Sequence, residues 1–395
     1  MGVDAASDWA GSGLAYLTGP TDGTPDFSRA AVLAEARRVA ADIAGLLSVE
    51  VDAATILTGR AAIMNLARPG RISAGGATRL LRTVDGWCAV ALPRDDDVAA
   101  LPALMEVGAF NGDPWAVLSR WAATHSTDEV VDRARLLDIA VAALGEAAPE
   151  PPTVRRCGTS TGPRRADGLL VADLSSLWAG PLCGQLLARA GAVVVKVESP
   201  SRPDGTRRGE PAFFDWMNAG KLSYCVDFDS ESDALQRLLD VADIVIESSR
   251  PAALRRRGLS AADLAGRMGR IWLRISGYRD QPDRPAFGDD AAVAGGLVGG
   301  GADGPVFCGD AIADPLTGLE AARAVGESLR RGGGEVVEVS MAQVAARYAA
   351  LPQSPDSDAP AEPPTLPPAV PPASPLGADN AAVELLVSER LGAPC

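Results

Sequence analysis

The chain predicts an α/β fold: an open, mostly parallel, Rossmann-like sheet with helices on both faces, accompanied by a smaller α+β domain. Three features carry this. Leu169 to Leu174 is a short apolar run, Ala179 to Ala190 is a small-residue helical pattern closed by Gly191, and Ala192 to Glu198 is a second apolar run. That is one strand–helix–strand unit with a tight crossover, the building block of parallel sheets. Further runs at Ser223 to Asp227, Ile244 to Glu247, Ile271 to Ile275 and Val336 to Val339 alternate with helical patterns, including helices at about 260–267 and around Leu235 to Val241. Such alternation favours helices on both faces of one sheet.

The N-terminal part reads differently. Residues 1–30 are punctuated by Gly, Pro, Thr and Asp and predict loop. From Ser28, a candidate cap, to Leu47, the residues Val32, Leu33, Ala36, Val39, Ala40, Ile43 and Leu47 recur at helical spacing. A second helix covers about Asp52 to Leu66. Leu80 to Thr83 and Trp87 to Leu92 flank Asp85-Gly86, a hairpin signal. Helices are expected at about 97–106, 113–123 and 127–136, with a short apolar stretch near 137–142. The chain divides into a 1–150 α+β region, a linker at 151–167 rich in Pro and Arg, the 168–350 sheet domain, a Pro/Ala-rich extended segment at 351–378 and a C-terminal helix within 379–395.

The totals exclude several functions. A net charge of -14 argues against a general nucleic-acid binder, which needs clustered Lys and Arg. Six scattered cysteines without a Cys-x-x-Cys pair, and a single histidine, His125, argue against a disulfide framework, a zinc site or any triad using several histidines. No apolar run reaches the roughly 20 residues that span a bilayer. Met1 to Trp9 lacks the features of a signal peptide, so a cytoplasmic protein without a membrane partner is expected.

Candidate chemistry concentrates after the glycine-dense run Gly295 to Gly304. Asp310 and Asp314 stand there, just before the small-residue helix Gly318 to Val325. A poorly hydrated carboxylate near backbone N–H groups and a helix start can act as a nucleophile. No P-loop and no Gly-x-Gly-x-x-Gly follows a strand. Two arginine clusters do follow successive strands: Arg202, Arg207 and Arg208 after Glu198, and Arg250, Arg255, Arg256 and Arg257 after Glu247. They predict an anion site.

Several motifs in order then carry a resemblance. Asp173-Leu174-Ser175, Ala179-Gly180-Pro181, Gly191 to Pro200, Asp204-Gly205-Thr206-Arg207, Asn218-Ala219-Gly220-Lys221-Leu222-Ser223, Asp243 to Pro251 and Ile275-Ser276-Gly277-Tyr278 together resemble the family III CoA-transferases, the group of formyl-CoA transferase, carnitine CoA-transferase and α-methylacyl-CoA racemase. The resemblance runs from about 168 to 345. It implies a catalytic aspartate at Asp314, four residues before Gly318, with Asp290 of Gly288-Asp289-Asp290 in support. It implies CoA contacts at Trp178, Ala179 and Arg256, with Ser248 and Lys221 in the flanking motifs.

The implied activity is movement of CoA from an acyl-CoA thioester to a carboxylic acid through aspartyl-anhydride and aspartyl-CoA intermediates. Coenzyme A enters as substrate, no tightly bound cofactor or metal is implied, and the family forms homodimers. An α-methylacyl-CoA racemase or a non-catalytic acyl-CoA-binding member stay open as alternatives. Racemases of the group carry a histidine where Asp289 stands, and Ser248 and Ser249 replace the family's usual asparagine and aromatic residue. Ala74-Gly75-Gly76 and Arg82-Thr83-Val84-Asp85-Gly86-Trp87 resemble the family's small domain, yet here they precede the large one, and Gly75 and Gly76 are expected to cover the site.

Overall fold

A computed structural model describes residues 4–68, 70–264, 266–301 and 303–392. The expectations that touch Met1 to Val3, Ala265, Ala302 or Cys395 fall to that extent outside the described residues.

The N-terminal stretch is helical where a loop was expected. Helices α1 (Ala5–Gly11) and α2 (Leu14–Leu17) flank Gly13. Glycine and proline obscured the pattern, but Trp9, Leu14 and Ala15 are fully buried, and the Trp9 indole N–H donates to the Asp26 carbonyl at 2.9 Å. Helix α3 (Ala31–Leu47) buries the seven apolar positions predicted for it. It starts after Ala30, so Ser28 does not cap it; the Ser28 N–H instead donates to Asp26 Oδ1. Helix α4 (Ala53–Ile63) is capped by Asp52, whose carboxylate accepts from Ala54 N–H at 3.1 Å.

Strands β1 (Thr78–Arg82) and β2 (Trp87–Ala91) form the predicted hairpin, with Leu80 opposite Ala89. The 97–106 helix is two pieces, α5 (Asp95–Ala99) and α6 (Leu101–Leu104); Pro102 lacks the N–H that would join them. Helices α7 (Pro114–Ala122) and α8 (Thr127–Leu136) follow, α8 opened by a Ser126/Glu129 capping box. Strand β3 (Ala140–Ala143) completes an antiparallel sheet in the order β1-β2-β3.

Among the described residues the main sheet has seven strands. In chain order they are β4 (Thr153–Arg156), β5 (Leu170–Leu174), β6 (Val193–Glu198), β7 (Leu222–Cys225), β8 (Ile244–Glu247), β9 (Ile271–Ser276) and, after the small pair β10 (Val298–Gly299) and β11 (Val306–Phe307), β12 (Glu335–Ser340). Their spatial order is β4-β12-β9-β8-β5-β6-β7, and every pair is parallel except β4 with β12. The expected linker thus supplies an edge strand: Val154 lies opposite Val337, and the N–H groups of Cys157 and Thr161 continue along Gly334 and Gly332.

Helix α9 (Ala179–Arg189) crosses from β5 to β6, α10 (Pro211–Asn218) precedes β7, α11 (Ser232–Val241) leads to β8, and α12 (Pro251–Arg255) follows it. The helix expected at about 260–267 is absent among its described residues: Ser260 to Leu264 is a turn closed by the Asp263 carboxylate on Ser260 N–H at 3.1 Å. Helices α13 (Gly288–Ala294), α14 (Ala313–Arg331), α15 (Met341–Ala349) and α16 (Asn380–Gly392) are the remaining helices of the described residues. None of the described helices is long and apolar enough to cross a membrane.

Alternate residues of the central strands feed two cores, as a sheet buried on both faces requires. Val171, Ile244, Ile246, Ile271 and Leu273 pack under α9 and α14, while Leu170, Ala172, Val195, Val245 and Trp272 pack under α11 and α16. The first core also takes in Trp9, Leu33, Ile43 and Leu57. Helices α1–α4 therefore belong with the main sheet, and β1–β3 with α6–α8 have a core of their own.

The Pro/Ala-rich segment, read from the sequence as poorly folded or extended, has no helix or strand over 352–375 and runs over the surface. Its N–H groups at Ser354, Glu362 and Ala373 donate to Ser28, Ala10 and the Asp215 carboxylate. It delivers Asp379 and Asn380 to edge strand β7, where their side chains accept from Ser223 N–H at 2.8 Å and Cys225 N–H at 2.9 Å. An edge that would otherwise offer unpaired peptide groups is covered by its own chain.

Candidate active site

The switch in strand order lies between β5 and β8: the chain steps outward through β6 and β7, then returns to β8 on the other side of β5. The crevice beyond the carboxyl ends of these two strands is where open α/β sheets bind ligands. The loop Ser175 to Trp178 leaves β5 here, and Ser248 follows β8. The Ser176 N–H donates to Ser248 Oγ at 3.3 Å, and the Leu177 N–H reaches the Asp204 carboxylate at 3.2 Å. Leu177 has a positive φ of 71°. Trp178 then caps α9, buried, with no acceptor for its indole N–H among the described residues. Arg256 is exposed at the end of α12, the helix that follows Ser248.

The arginine clusters resolve unequally. Arg207 is spent on Glu198, with Nη2 to Oε2 at 2.6 Å, and lies over the Phe214 ring; Arg250 pairs with Asp138 and Arg257 with Asp229. Among the described residues, Arg255 and Arg256 make no ion pair. Lys221 departs from the sequence expectation. It is buried under α9, and its ammonium donates to Asp173 Oδ2 at 2.9 Å, the Pro181 carbonyl at 2.8 Å and Asn218 Oδ1 at 3.1 Å. Three acceptors use all three N–H donors, so nothing remains for a ligand.

Asp314 lies in the first turn of α14. The helix begins at Ala313 rather than at Gly318. Gly318 instead permits close packing: a β-carbon there would stand 2.7 Å from Leu182 Cδ2 and 2.8 Å from the Ala179 carbonyl, so α14 and α9 meet with Trp178 and Ala179 beside the start of α14. Asp314 is half-buried against Gly288, at the start of α13, whose backbone N–H favours the ionised carboxylate. A β-carbon at Gly288 would overlap both Asp314 Oδ2 and the Ala311 carbonyl.

Asp289 and Asp310 bear on it, and Asp290 follows Asp289 in α13. Asp289 accepts from Ala311 N–H at 3.1 Å and from Thr78 Oγ at 3.5 Å. Asp290 is fully buried; its Oδ1 caps α13 on Phe287 N–H at 2.8 Å, and its Oδ2 has no partner among the described residues. Asp310 is fully buried and receives Arg60 Nη1 on Oδ1 at 2.5 Å. Burial is the largest influence on all of them. It pushes Asp314 up to about 7, with Arg60 pulling down and Asp289 and Asp310 pushing further up. It pushes Asp289 up to about 6, helped by Asp310, and Asp290 up to about 8, helped by Asp289. Asp310 is raised as well, against the pull of Arg60.

Arg60 comes from α4. Its guanidinium lies 5.6 Å from the Trp178 ring centre and 5.7 Å from that of Phe213, and a β-carbon at Gly75 would stand 3.2 Å from Nη2. Burial works against its charge, but Asp310 and Asp289 outweigh this and hold its pKa above the usual value. The N-terminal region thus reaches the carboxylates through Arg60 and Thr78, with Gly75 behind Arg60. Sequence reasoning missed Arg60. A lone arginine between the buried Gly59 and Ala61 of an apolar helix was the available signal.

The sequence profile of CoA-transferase family III matches residues 167–366. The chain belongs to CoA-transferase family III. The matched region of this family III chain holds Asp290, Asp310, Asp314 and the switch-point crevice, while Arg60 and Gly75 lie before it. The chain is 33% identical over 199 residues to the succinyl-CoA–D-citramalate CoA-transferase of Chloroflexus aurantiacus, covering 45% of this chain and 50% of that one. It is 34% identical over 209 residues to a probable fatty acyl-CoA transferase of Mycobacterium tuberculosis, covering 47% and 53%. Over 194 residues it is 29% identical to the formyl-CoA:oxalate CoA-transferase of Afipia carboxidovorans, covering 44% and 46%. The chain spans about half the length of these curated relatives.

Proposed function

We propose that the protein transfers CoA from an acyl-CoA to a carboxylic acid, with Asp314 as the covalent carrier. The observation that carries this reading is the Asp314 carboxyl itself, half-buried at a helix start, packed against Gly288 and poised at about 7 beside Arg60. Near neutrality such a group is ionised in a useful fraction yet poorly hydrated, the state a carboxylate nucleophile needs.

The Asp314 carboxylate attacks the thioester carbonyl, and the C–S bond breaks to give an acyl-aspartyl anhydride and CoA thiolate. The thiolate attacks the aspartyl carbonyl, releasing the donor carboxylate and leaving an aspartyl-CoA thioester. The acceptor carboxylate attacks that thioester carbonyl, expelling the thiolate. The thiolate then attacks the acceptor carbonyl of the new anhydride and frees Asp314. Asp290 supports the start of α13, whose Gly288 N–H serves Asp314. Trp178 and Ala179 bound the acyl end, and Ser248 and Arg256 face the CoA moiety. The names of the relatives support the reaction class, and the family resemblance supports a homodimer.

The test incubates the protein with a panel of acyl-CoAs and free acids, then adds hydroxylamine. A hydroxamate at Asp314 by mass spectrometry, and loss of exchange in Asp314→Ala, are expected. Full exchange in Asp314→Ala overturns the assignment.

One observation favours a second reading. Asp289 at about 6 and Asp314 at about 7 are neighbouring acids that could pass a proton to and from a substrate α-carbon. Exchange of the α-hydrogen of an acyl-CoA with solvent deuterium, without CoA transfer, would select the racemase.

A further inference from the structure

We propose that Arg60, supplied by the N-terminal region, is the cation that keeps Asp314 ionised for attack, acting as a positioning residue from its seat on Asp310. This rests on reading Asp314 as the nucleophile.

The geometry leaves Arg60 little freedom. Its Nη1 is fixed on Asp310 at 2.5 Å, its planar face lies beside the Trp178 and Phe213 rings, and Gly75 backs Nη2. The Asp310 end of the pair is fully buried, and the arginine side chain is one-fifth exposed. Among the described residues, the charges that bear most on Asp314 are Asp289 from α13, Asp310 from the turn before α14, and Arg60 from α4; Asp290 lies next to Asp289, and the α9 start brings the uncharged Trp178. Arg60 is the single cation in that set.

A carboxylate crowded by two others in a poorly hydrated pocket takes up a proton unless an opposite charge is near, and an opposite charge within about 4–6 Å typically moves a pKa by 1–3 units. Arg60 also touches Trp178, so the same guanidinium joins the loop at the switch point to the carboxylates. The region outside the family match therefore furnishes part of the site.

The experiment is the pH profile of CoA exchange by the full chain, together with titration of Asp314 by NMR of 13Cγ-labelled aspartate, assigned against Asp314→Asn. In the wild type the rising limb is expected near pH 7. Arg60→Met should move it up by about one unit or more, costing roughly tenfold in rate a unit below the limb. Arg60→Lys, which keeps the charge, should stay near wild type. Asp310→Asn should move the limb down, because it removes a like charge and frees Arg60. If Arg60→Met alone fails to fold, Arg60→Met/Asp310→Asn removes both members of the buried pair. Its limb should still lie above wild type, since Arg60 outweighs Asp310 at Asp314.

An even loss of rate with an unmoved profile and an unmoved Asp314 titration overturns the proposal. So does a shift in the same direction for Arg60→Met and Asp310→Asn. A wild type without CoA exchange ends the transferase reading alone, because the NMR titration decides the role of Arg60 independently.

Discussion

Gly288 and Asp314 stand so close that a β-carbon at 288 would overlap the carboxylate oxygen Oδ2 and, behind it, the carbonyl of Ala311. One obstacle is a side chain and the other is backbone, so neither helix start can simply give way. Gly288→Ala should displace the carboxylate and strain the α13–α14 contact. The expected result is at least a hundredfold loss of CoA exchange, with a stability loss of about 1–3 kcal/mol typical of overpacking. Steady-state kinetics and thermal melts check this, and near-normal activity would show that Asp314 does not work from the position described.

Asp290 gives a pH-dependent stability. Its carboxyl is raised from 3.8 to about 8 by burial, so the folded state holds a proton that the unfolded state has released. Between those values the folded protein binds more protons than the unfolded one, and stability falls as pH rises. Asp290→Asn keeps an oxygen for Phe287 N–H and cannot ionise. It should match wild type near pH 4 and become progressively more stable than wild type towards pH 8. Melting temperatures across that range test it; an offset that is constant with pH would show that Asp290 does not titrate there.

The parallel sheet was legible in the sequence because its strands, buried on both faces, are short apolar runs separated by helical patterns: Val193 to Glu198 and Ile244 to Glu247 need no context to be read. Trp9 and β4 were not legible. The first sits in a stretch whose glycines mimic a loop, and the second is an exposed edge, Thr153 to Arg156, whose residues show no apolar period. Asp314 and Asp290 were named from motifs within one stretch of chain. Arg60 lies 250 residues from Asp310, and only the packing of α4 brings the two charges together. Lys221 failed in the opposite way: its motif marks a real constraint, but the constraint is the internal pair with Asp173.

That pair defines a stability prediction. Lys221 and Asp173 are both fully enclosed beneath α9. Lys221→Met strands a buried carboxylate, since burial opposes the charge of Asp173 and Lys221 is the leading opposing influence. A loss of about 3–5 kcal/mol in urea unfolding is expected, and Lys221→Met/Asp173→Leu should recover part of it. Whatever fraction remains folded should bind CoA with unchanged affinity. Weakened CoA binding in a fully folded Lys221→Met protein would return the lysine to the ligand site.

Arg256 presents the reverse pattern. It is exposed at the C-cap of α12, the helix that follows β8 and Ser248, and among the described residues no carboxylate neutralises it. A solvated cation beside the switch-point crevice suits a phosphate or pyrophosphate of CoA, and a hydrogen bond to a charged group is worth about 1.5–3 kcal/mol. Arg256→Ala should therefore raise KM for acyl-CoA at least tenfold, leave kcat and KM for the free acid near wild type, and leave stability unchanged. Raising ionic strength should narrow the difference, because the lost interaction is an exposed one and salt screens it in the wild type. An Arg256→Ala enzyme whose KM for acyl-CoA matches wild type at low salt would place the CoA phosphates elsewhere.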